Sequence, residues 1–370
     1  MTTPWDHLIG LPIDQLPSPS VLIDRPTLQR NIDEMAAHAA SLGVALRPHW
    51  KSSKVIEVGR AQIAAGAVGL TAATANEVTA LADAGIPSVF WAYPPVGPAR
   101  IEAAIAAAAK THLIVGIDSV AAVTGLAEAA AAAGTVIDVR LEVDSGLGRM
   151  GVPADDAVET ARALTALAGI RLEGVFTHEG QVQGVGPDAE QRLATGLAAG
   201  RLIVEVAEAV RADGIPLTSV SVGSTPGVRS APTVPGVTEA RPGTYVYGDE
   251  NQVAIGTIAP EATAATVLAR VISTQRGEPI LVDAGTKAMS ADGSLHHDGR
   301  FGTIVSESGG VIAVAHEEHG FLRGAAPGLA VGDLIRVRPN HACGLSNMHS
   351  HVHLVDDGVV VDVWPVVGRH

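Results

Sequence analysis

Val44-Ala45-Leu46-Arg47-Pro48-His49-Trp50-Lys51 begins as an apolar run and ends in proline, histidine and lysine, the pattern of a strand running out into a loop. Short apolar runs of this kind recur on both sides of it, separated by alanine-rich stretches with apolar residues at three-and-four spacing, such as 27–42 and 155–167. The predicted strands are 20–24, 45–51, 68–74, 88–93, 113–118, 138–144, 172–178 and 219–224. Asn76 ahead of Glu77 and Val78 is a candidate helix cap, and Gly85-Ile86-Pro87 a candidate helix end. Eight strand–helix units with no strand-only section predict an α/β fold, a (β/α)8 TIM-type barrel; an open doubly wound sheet is the alternative. After about Val253 the runs are short, β-branched and punctuated by Gly, Asp and Pro, with strands predicted at 264–273, 279–283, 311–315, 334–338, 351–354 and 359–365. That texture predicts a C-terminal antiparallel β domain. The boundary falls within Gly248–Pro260, so the barrel is assigned to residues 20–250, and the β domain to 1–19 and 251–370.

The 370 residues suffice for a large domain plus a smaller one, each with a buried core. Hydrophobic residues make up 47% and aromatic residues 3%, so alanine and aliphatic residues supply most of the apolar content. A formal net charge of −14, without basic runs, argues against nucleic acid and anionic membranes as partners. A single cysteine, Cys343, cannot staple the fold and fits a reducing compartment. Residues 1–9 show no signal-peptide pattern, and no stretch is long enough to span a bilayer, so the expected location is cytoplasmic.

Catalytic groups of a barrel sit where strands end. Strand ends here carry His49 and Lys51, Asp144 followed by Gly146, Gly148 and Arg149, then His178, and finally Gly223-Ser224-Thr225. The run Ser221-Val222-Gly223-Ser224-Thr225-Pro226-Gly227 could cradle a phosphate with backbone N–H groups and hydroxyls, and Arg241-Pro242-Gly243-Thr244 offers a further cation and open backbone. Taken singly, Gly-Ser-Thr-Pro is a turn and a lysine after a strand is a solvated charge. Together they point to a phosphorylated aldehyde, and pyridoxal 5′-phosphate fits, with the lysine as imine former and the loop as phosphate holder.

Across nearly its whole length the chain resembles fold-type III pyridoxal-phosphate enzymes of the D-serine dehydratase and D-threonine aldolase family, related to alanine racemase. The resemblance is carried by residues 19–24 (PSVLID), 47–51 (RPHWK), 142–149 (EVDSGLGR), 223–226 (GSTP), 241–245 (RPGTY) and 339–343 (PNHAC). It implies that Lys51 is the Schiff-base lysine, that Arg149 contacts the cofactor's phenolic oxygen and that His178 packs on the pyridine ring. Gly223, Ser224, Thr225, Gly243 and Thr244 would hold the phosphate, and Arg241 stands where the racemases place an arginine near the pyridine nitrogen. Lys54 is the rival of Lys51, read as a solvated charge in the following helix.

His341-Ala342-Cys343 forms a second constellation. On a strand, positions two apart face the same way, so imidazole and thiolate can converge on one cation, and this donor pair suits zinc. A buried free cysteine beside a histidine is the plainer alternative. The resemblance implies a divalent metal on this pair, zinc first and manganese or magnesium as other candidates, and Cys343 sits on the dehydratase side of the family, whose aldolases carry aspartate there. The chain departs from the family's Pro-Thr-Val-Asn after the cysteine, showing Gly344-Leu345-Ser346-Asn347, which bears on substrate choice. His349, His351 and His353 alternate onto one face, as an exposed row or as a further ligand or proton shuttle. The expectation is a metal-assisted lyase acting on D-3-hydroxy amino acids, with Lys51 and His178 as catalytic residues. The dehydratase reaction yields a 2-oxo acid and ammonia; the alternative aldolase reaction yields glycine and an aldehyde. A racemase and a non-catalytic cofactor-binding protein are the remaining readings. A homodimer is the family expectation, the β domain of one subunit closing the barrel mouth of the other.

Overall fold

In a computed structural model of the chain, which describes residues 4–294 and 299–369, the polypeptide divides into two compact units. One comprises 34–51, 58–243 and the last residues; the other comprises the residues up to Asp33, Ser52–Glu57 and Thr244–Val367. The assignments for residues 1–3, 295–298 and 370 fall outside the described residues.

The strands in chain order begin with β1 (Ser20–Asp24), which proves not to be a barrel strand: it pairs antiparallel with β10 (Ala265–Ser273) and parallel with β16 (His351–Asp356). The first unit is built instead on β2 (Ala45–Leu46), β3 (Leu70–Ala72), β4 (Ser88–Trp91), β5 (His112–Ile117), β6 (Ile137–Glu142), β7 (Ile170–Phe176), β8 (Ser219–Val222) and β9 (Glu239–Ala240), an all-parallel sheet in the order β2-β9-β8-β7-β6-β5-β4-β3. Its ends meet: Val68 N–H donates to Leu46 O at 2.9 Å, Thr71 N–H to Pro48 O at 2.8 Å, and His49 bridges Thr71. This is the predicted (β/α)8 arrangement with its eighth strand at residues 239–240 rather than its first at 20–24. The helix Ala75–Asp83 shows the local logic. Thr74, not Asn76, is its cap, accepting from Glu77 N–H, while Glu77 Oε2 accepts from Ala73 N–H at 2.6 Å; Gly85, at φ +74°, ends the turn that follows.

Charge, more than hydrocarbon, organises the barrel interior. Glu239 of β9 is fully buried and accepts from Arg47 Nε at 2.8 Å, from the Arg140 guanidinium of β6, and from Ser221 Oγ at 2.6 Å. Strands β6 and β9 are not neighbours in the sheet, so this contact crosses the interior. Arg140 Nε also donates to Glu173 at 2.6 Å, and Arg47 Nη1 to Ser88 Oγ at 2.8 Å. Gly69 must lack a side chain because a Cβ there would enter the Arg47 guanidinium and the Ser88 carbonyl.

The second unit is antiparallel apart from the β1–β16 pair. Besides β1, β10 and β16 it contains β11 (Ile280–Val282), β12 (Gly302–Ile304), β13 (Val311–Ala315), β14 (Gly320–Arg323), β15 (Leu334–Pro339) and β17 (Val359–Pro365). The order is β11-β14-β13-β12-β15-β10-β1-β16-β17, and an added β10–β11 pairing closes β10, β11, β14, β13, β12 and β15 into a ring. The proline-rich N-terminal segment packs here: Gly10 N–H donates to Val360 O at 2.8 Å, and Leu8 and Leu16 join Leu22, Leu268, Val355, Val360 and Val363 in one apolar cluster. No helix among the described residues is long and apolar enough to cross a membrane.

Glu239 is predicted to be the acid-sensitive point of the barrel. Burial opposes its charge, but Arg140 and Arg47 hold its carboxyl well below the ordinary carboxylate range. A depressed folded value contributes stability that is present above the unfolded-state value and is lost as pH falls toward the folded one. Glu239→Gln should therefore flatten the acid limb of unfolding free energy against pH in denaturant titrations. At neutral pH it should cost about 3–5 kcal/mol, because two buried cations lose their counter-charge.

Candidate active site

At the C-terminal mouth of the barrel, a cavity is lined by His49, Lys51, Ala92, Glu142, Arg149, Phe176, His178, Gly223 and Arg241. Five predicted residues, Lys51, Arg149, His178, Gly223 and Arg241, thus meet in one place although they come from segments almost 200 residues apart. Their local settings differ from expectation. Lys51 is not at the end of a strand but in a 3-10 turn, Trp50–Ser52, because β2 stops at Leu46 and Pro48 interrupts the ladder. Lys54 lies before the helix at 56–64, not in it; it is buried, at φ +52°, and is not the solvated charge predicted.

His178 lies two residues past β7. Its Nδ1–H donates to Gly223 O, which fixes the tautomer and turns Nε2 into an acceptor. Burial, followed by the Lys51 charge, pushes its pKa down to about 3, so the ring is neutral throughout the working range. Arg241 is buried, donates to Ser221 Oγ and, at 2.7 Å, to Thr177 O, and stacks over Phe90 and Phe176 with its guanidinium carbon 5.4 and 5.2 Å from the ring centres. Burial pushes its pKa down to about 10, and it remains a cation. Arg149 rides on the Gly146–Gly148 loop, whose N–H groups Asp144 Oδ1 accepts at 2.9 and 3.1 Å. Its side chain is 55% exposed.

The predicted phosphate loop is braced by a residue that sequence reading passed over. Glu179 is fully buried and accepts from Gly223 N–H and from Ser224 Oγ, both at 2.9 Å; Ser224 Oγ in turn accepts from Gly227 N–H at 2.9 Å. The Gly223 peptide is thus gripped on its carbonyl by His178 and on its amide by Glu179. The Gly223 amide and the Ser224 hydroxyl, both predicted to face a phosphate, already have an acceptor. Ser224 and Thr225 are buried beside Gly223, Gly243 is buried beyond β9, and Thr244 opens a 3-10 turn of the other unit. Glu142, the last residue of β6, was also passed over as a site residue; neither glutamate stands out in periodicity or spacing.

A planar aldehyde cofactor fits this cavity. It offers a primary amine at Lys51, a neutral histidine held in one orientation, two guanidinium groups, and at Glu142 a buried carboxyl oxygen without a hydrogen-bond partner among the described residues.

In the other unit, His341 and Cys343 do not share a strand. β15 ends at Pro339, His341 immediately precedes the helix Ala342–Met348 without a side-chain capping bond, and Cys343 lies in that helix's first turn. The two still come together. The Cys343 sulfur, ahead of Asp249, holds the His341 imidazole well above its ordinary pKa, a field that favours any cation bound there. Asp249 is fully buried; its Oδ2 lies 3.3 Å from His341 Nδ1 and accepts from Ala342 N–H at 3.1 Å, which holds the imidazole in a carboxylate–histidine pair. Ser52 Oγ sits 3.3 Å from Cys343 Sγ. Among the described residues no group of three or more His, Cys, Asp or Glu side chains that could hold a metal ion is found, so His341 and Cys343 stand as a donor pair without the third protein ligand usual at a zinc site. His349, His351 and His353 are not an exposed row: His349 Nε2 meets Ala288 O at 2.8 Å, His351 stacks on Trp5, and His353 is buried with Nδ1 3.1 Å from Val21 O.

Comparison with known proteins agrees with this architecture. Residues 23–251 match the alanine racemase N-terminal domain family, and residues 264–355 the serine dehydratase domain family. The chain is 37% identical to D-threo-3-hydroxyaspartate dehydratase of Delftia sp. (strain HT23), covering 93% of this chain and 96% of that one. It is 31% identical to D-threonine aldolase of Arthrobacter sp., covering 97% and 94%. A solved metal-free form of a cysteine-to-alanine variant of D-threo-3-hydroxyaspartate dehydratase superposes with a TM-score of 0.88 at 34% identity, covering 96% of this chain and 98% of that one. The chain belongs to the D-serine dehydratase and D-threonine aldolase family of fold-type III pyridoxal-phosphate enzymes, with an alanine racemase-like barrel.

Proposed function

We propose that the protein is a pyridoxal-phosphate- and divalent-metal-dependent lyase that removes the β-hydroxyl of a D-3-hydroxy amino acid, giving a 2-oxo acid and ammonia. The observation that carries this reading is the convergence of Lys51, Arg149, His178, Gly223 and Arg241 on one cavity. When bound, the cofactor supplies an electron sink for Cα and the cation a Lewis acid for the β-hydroxyl.

The chain's own residues do the rest. Lys51 Nζ anchors the aldehyde carbon and takes the Cα proton. His178, neutral and pinned through Gly223 O, gives one ring face a fixed wall and adds no charge there. Arg241, locked by Ser221 and Thr177, presents a cation held in place, and Arg149 presents an exposed one. The loop from Gly223 to Thr225, with Gly243 and Thr244, is assigned to the phosphate; the Gly223 amide and the Ser224 hydroxyl, bonded to Glu179, shape that loop rather than donate to the phosphate themselves. His341 and Cys343 hold the cation, Asp249 orienting the imidazole. Zinc is proposed for the imidazole–thiolate pair, with manganese or magnesium as the other candidates. A homodimer and a cytoplasmic location complete the reading; the first is supported by the resemblance alone, the second by the lone cysteine.

The second reading, aldol cleavage to glycine and an aldehyde, uses the same groups but takes the proton from the β-hydroxyl. It is favoured by the likeness to the Arthrobacter D-threonine aldolase, whereas Cys343 and the higher identity to the Delftia dehydratase favour elimination. Product analysis decides. Incubation with D-threo-3-hydroxyaspartate, D-threonine and D-serine should release ammonia and 2-oxo acid; glycine as the main product would establish cleavage instead.

Two variants and one treatment check the assignments. Lys51→Ala should lose the yellow absorbance of the bound cofactor and about 10³-fold or more in turnover. An intact absorbance band in this variant would remove Lys51 from its role. Chelation should abolish turnover while leaving the visible spectrum in place, with zinc or manganese restoring activity. Cys343→Ala should reproduce the chelated state and resist rescue.

A further inference from the structure

Glu142 is the one charged residue lining the Lys51 cavity to which the reaction above gives no task. It closes β6, so the strand aims its side chain at the barrel mouth, and that side chain is only 4% exposed. Its Oε1 lies 4.0 Å from Arg149 Nη2, beyond hydrogen-bond range, and its Oε2 has no partner among the described residues. A buried carboxyl oxygen left unmatched is costly, and an oxygen that lines a cavity is satisfied by whatever fills it.

The groups that face Glu142 are the cations Arg149 and Arg241 and the carboxylates Asp118 and Asp144, with Lys51, His49 and His178 around the same cavity. Arg149 is more than half exposed, so solvent screens its pull, and Arg241 is already bonded to Ser221 and Thr177. Burial therefore outweighs both and pushes the Glu142 carboxyl up to about 7. Near neutrality it can give or take a proton.

We propose that Glu142 is a further functional residue of this site, a carboxyl that shares its proton with an oxygen of the bound ligand on the Arg149 side of the cavity. The inference rests on the pyridoxal-phosphate reading, in which that oxygen is the cofactor's phenolic one. Protonated, Glu142 donates its O–H to this oxygen beside the Arg149 guanidinium. Ionised, it withdraws that donor and attracts Arg149 instead. As pH rises through this transition the Glu142 Oε2 proton passes to solvent and the ligand oxygen loses its donor; nothing else is consumed.

The test is a pH titration of the visible absorbance of the pyridoxal-phosphate-loaded protein, without substrate, from about pH 5.5 to 8.5, the window around a carboxyl raised to neutrality. The wild-type band should change with a midpoint near pH 7, whereas Glu142→Gln should retain the cofactor and show no change in that window. Glu142→Asp, a shorter carboxyl, should keep the transition with a displaced midpoint, and it carries the test if the glutamine variant does not fold. Bound cofactor with the wild-type transition unaltered in these variants would overturn the role of Glu142 and leave the parent reading standing. Wild-type protein that takes up no pyridoxal phosphate would defeat both together.

Discussion

A single buried carboxylate organises the barrel. Glu239 is charged because Arg47 beside the neighbouring strand β2 and Arg140 from across the interior both reach it, and an unpaired charge at that depth would not survive. The same carboxylate accepts from Ser221, and Ser221 accepts from Arg241, the cation in the cavity wall. The charge balance of the core thus extends, through one hydroxyl, to the place where chemistry is proposed. Arg241 lies flat against Gly223, where a Cβ would come within 2.7 Å of the arginine's own Cβ. A side chain at residue 223 would push the arginine off its partners and disturb the core and the site at once.

Three glutamates show how burial alone does not set ionisation. Glu239 has two guanidinium partners and is held strongly ionised. Glu179 is held by backbone N–H groups and a hydroxyl rather than by a guanidinium in contact, and burial raises it. Glu142 has no donor within bonding distance of Oε2 and rises to about 7. The gradient runs from a structural ion through a loop brace to a group able to exchange protons, and it follows the partners rather than the depth.

Much of this was legible in the sequence, and the failures have physical causes. Strands β4 and β5 are nearly continuous apolar runs, as parallel strands buried on both faces are, whereas β6, β7 and β8 alternate apolar residues with Asp, Arg, Glu or Ser and were legible by that alternation. The barrel's last strand escaped notice because it is two residues long and its inward residue is Glu239, the opposite of a hydrophobic signal. Residues 20–24 were misassigned for the converse reason: a run buried in an antiparallel sheet reads like one buried in a barrel, and only pairing tells them apart. His341 and Cys343 were paired correctly for an incorrect reason, since a strand-to-helix junction brings them together instead of strand alternation. Lys51, Arg149 and His178 could be singled out by motif. Glu142 lies in the 142–149 motif but, like Glu179, drew no role from it, because what distinguishes both is the absence or identity of a partner from elsewhere in the chain.

The placement of β1 has a consequence for the order in which the chain can assemble. Its partners β10 and β16 emerge from the ribosome long after it does, the nearer one roughly 240 residues later. At a synthesis rate of roughly 5–20 residues per second the strand waits on the order of 10–50 s for a neighbour, carrying Val21, Leu22 and Ile23 unsatisfied throughout. The barrel strands, all encoded between residues 45 and 240, are complete before then. Biogenesis of this protein therefore leaves its first apolar strand without a partner until β10, ending at Ser273 of 370 residues, has been made, which is the interval in which a nascent-chain chaperone would have most to protect.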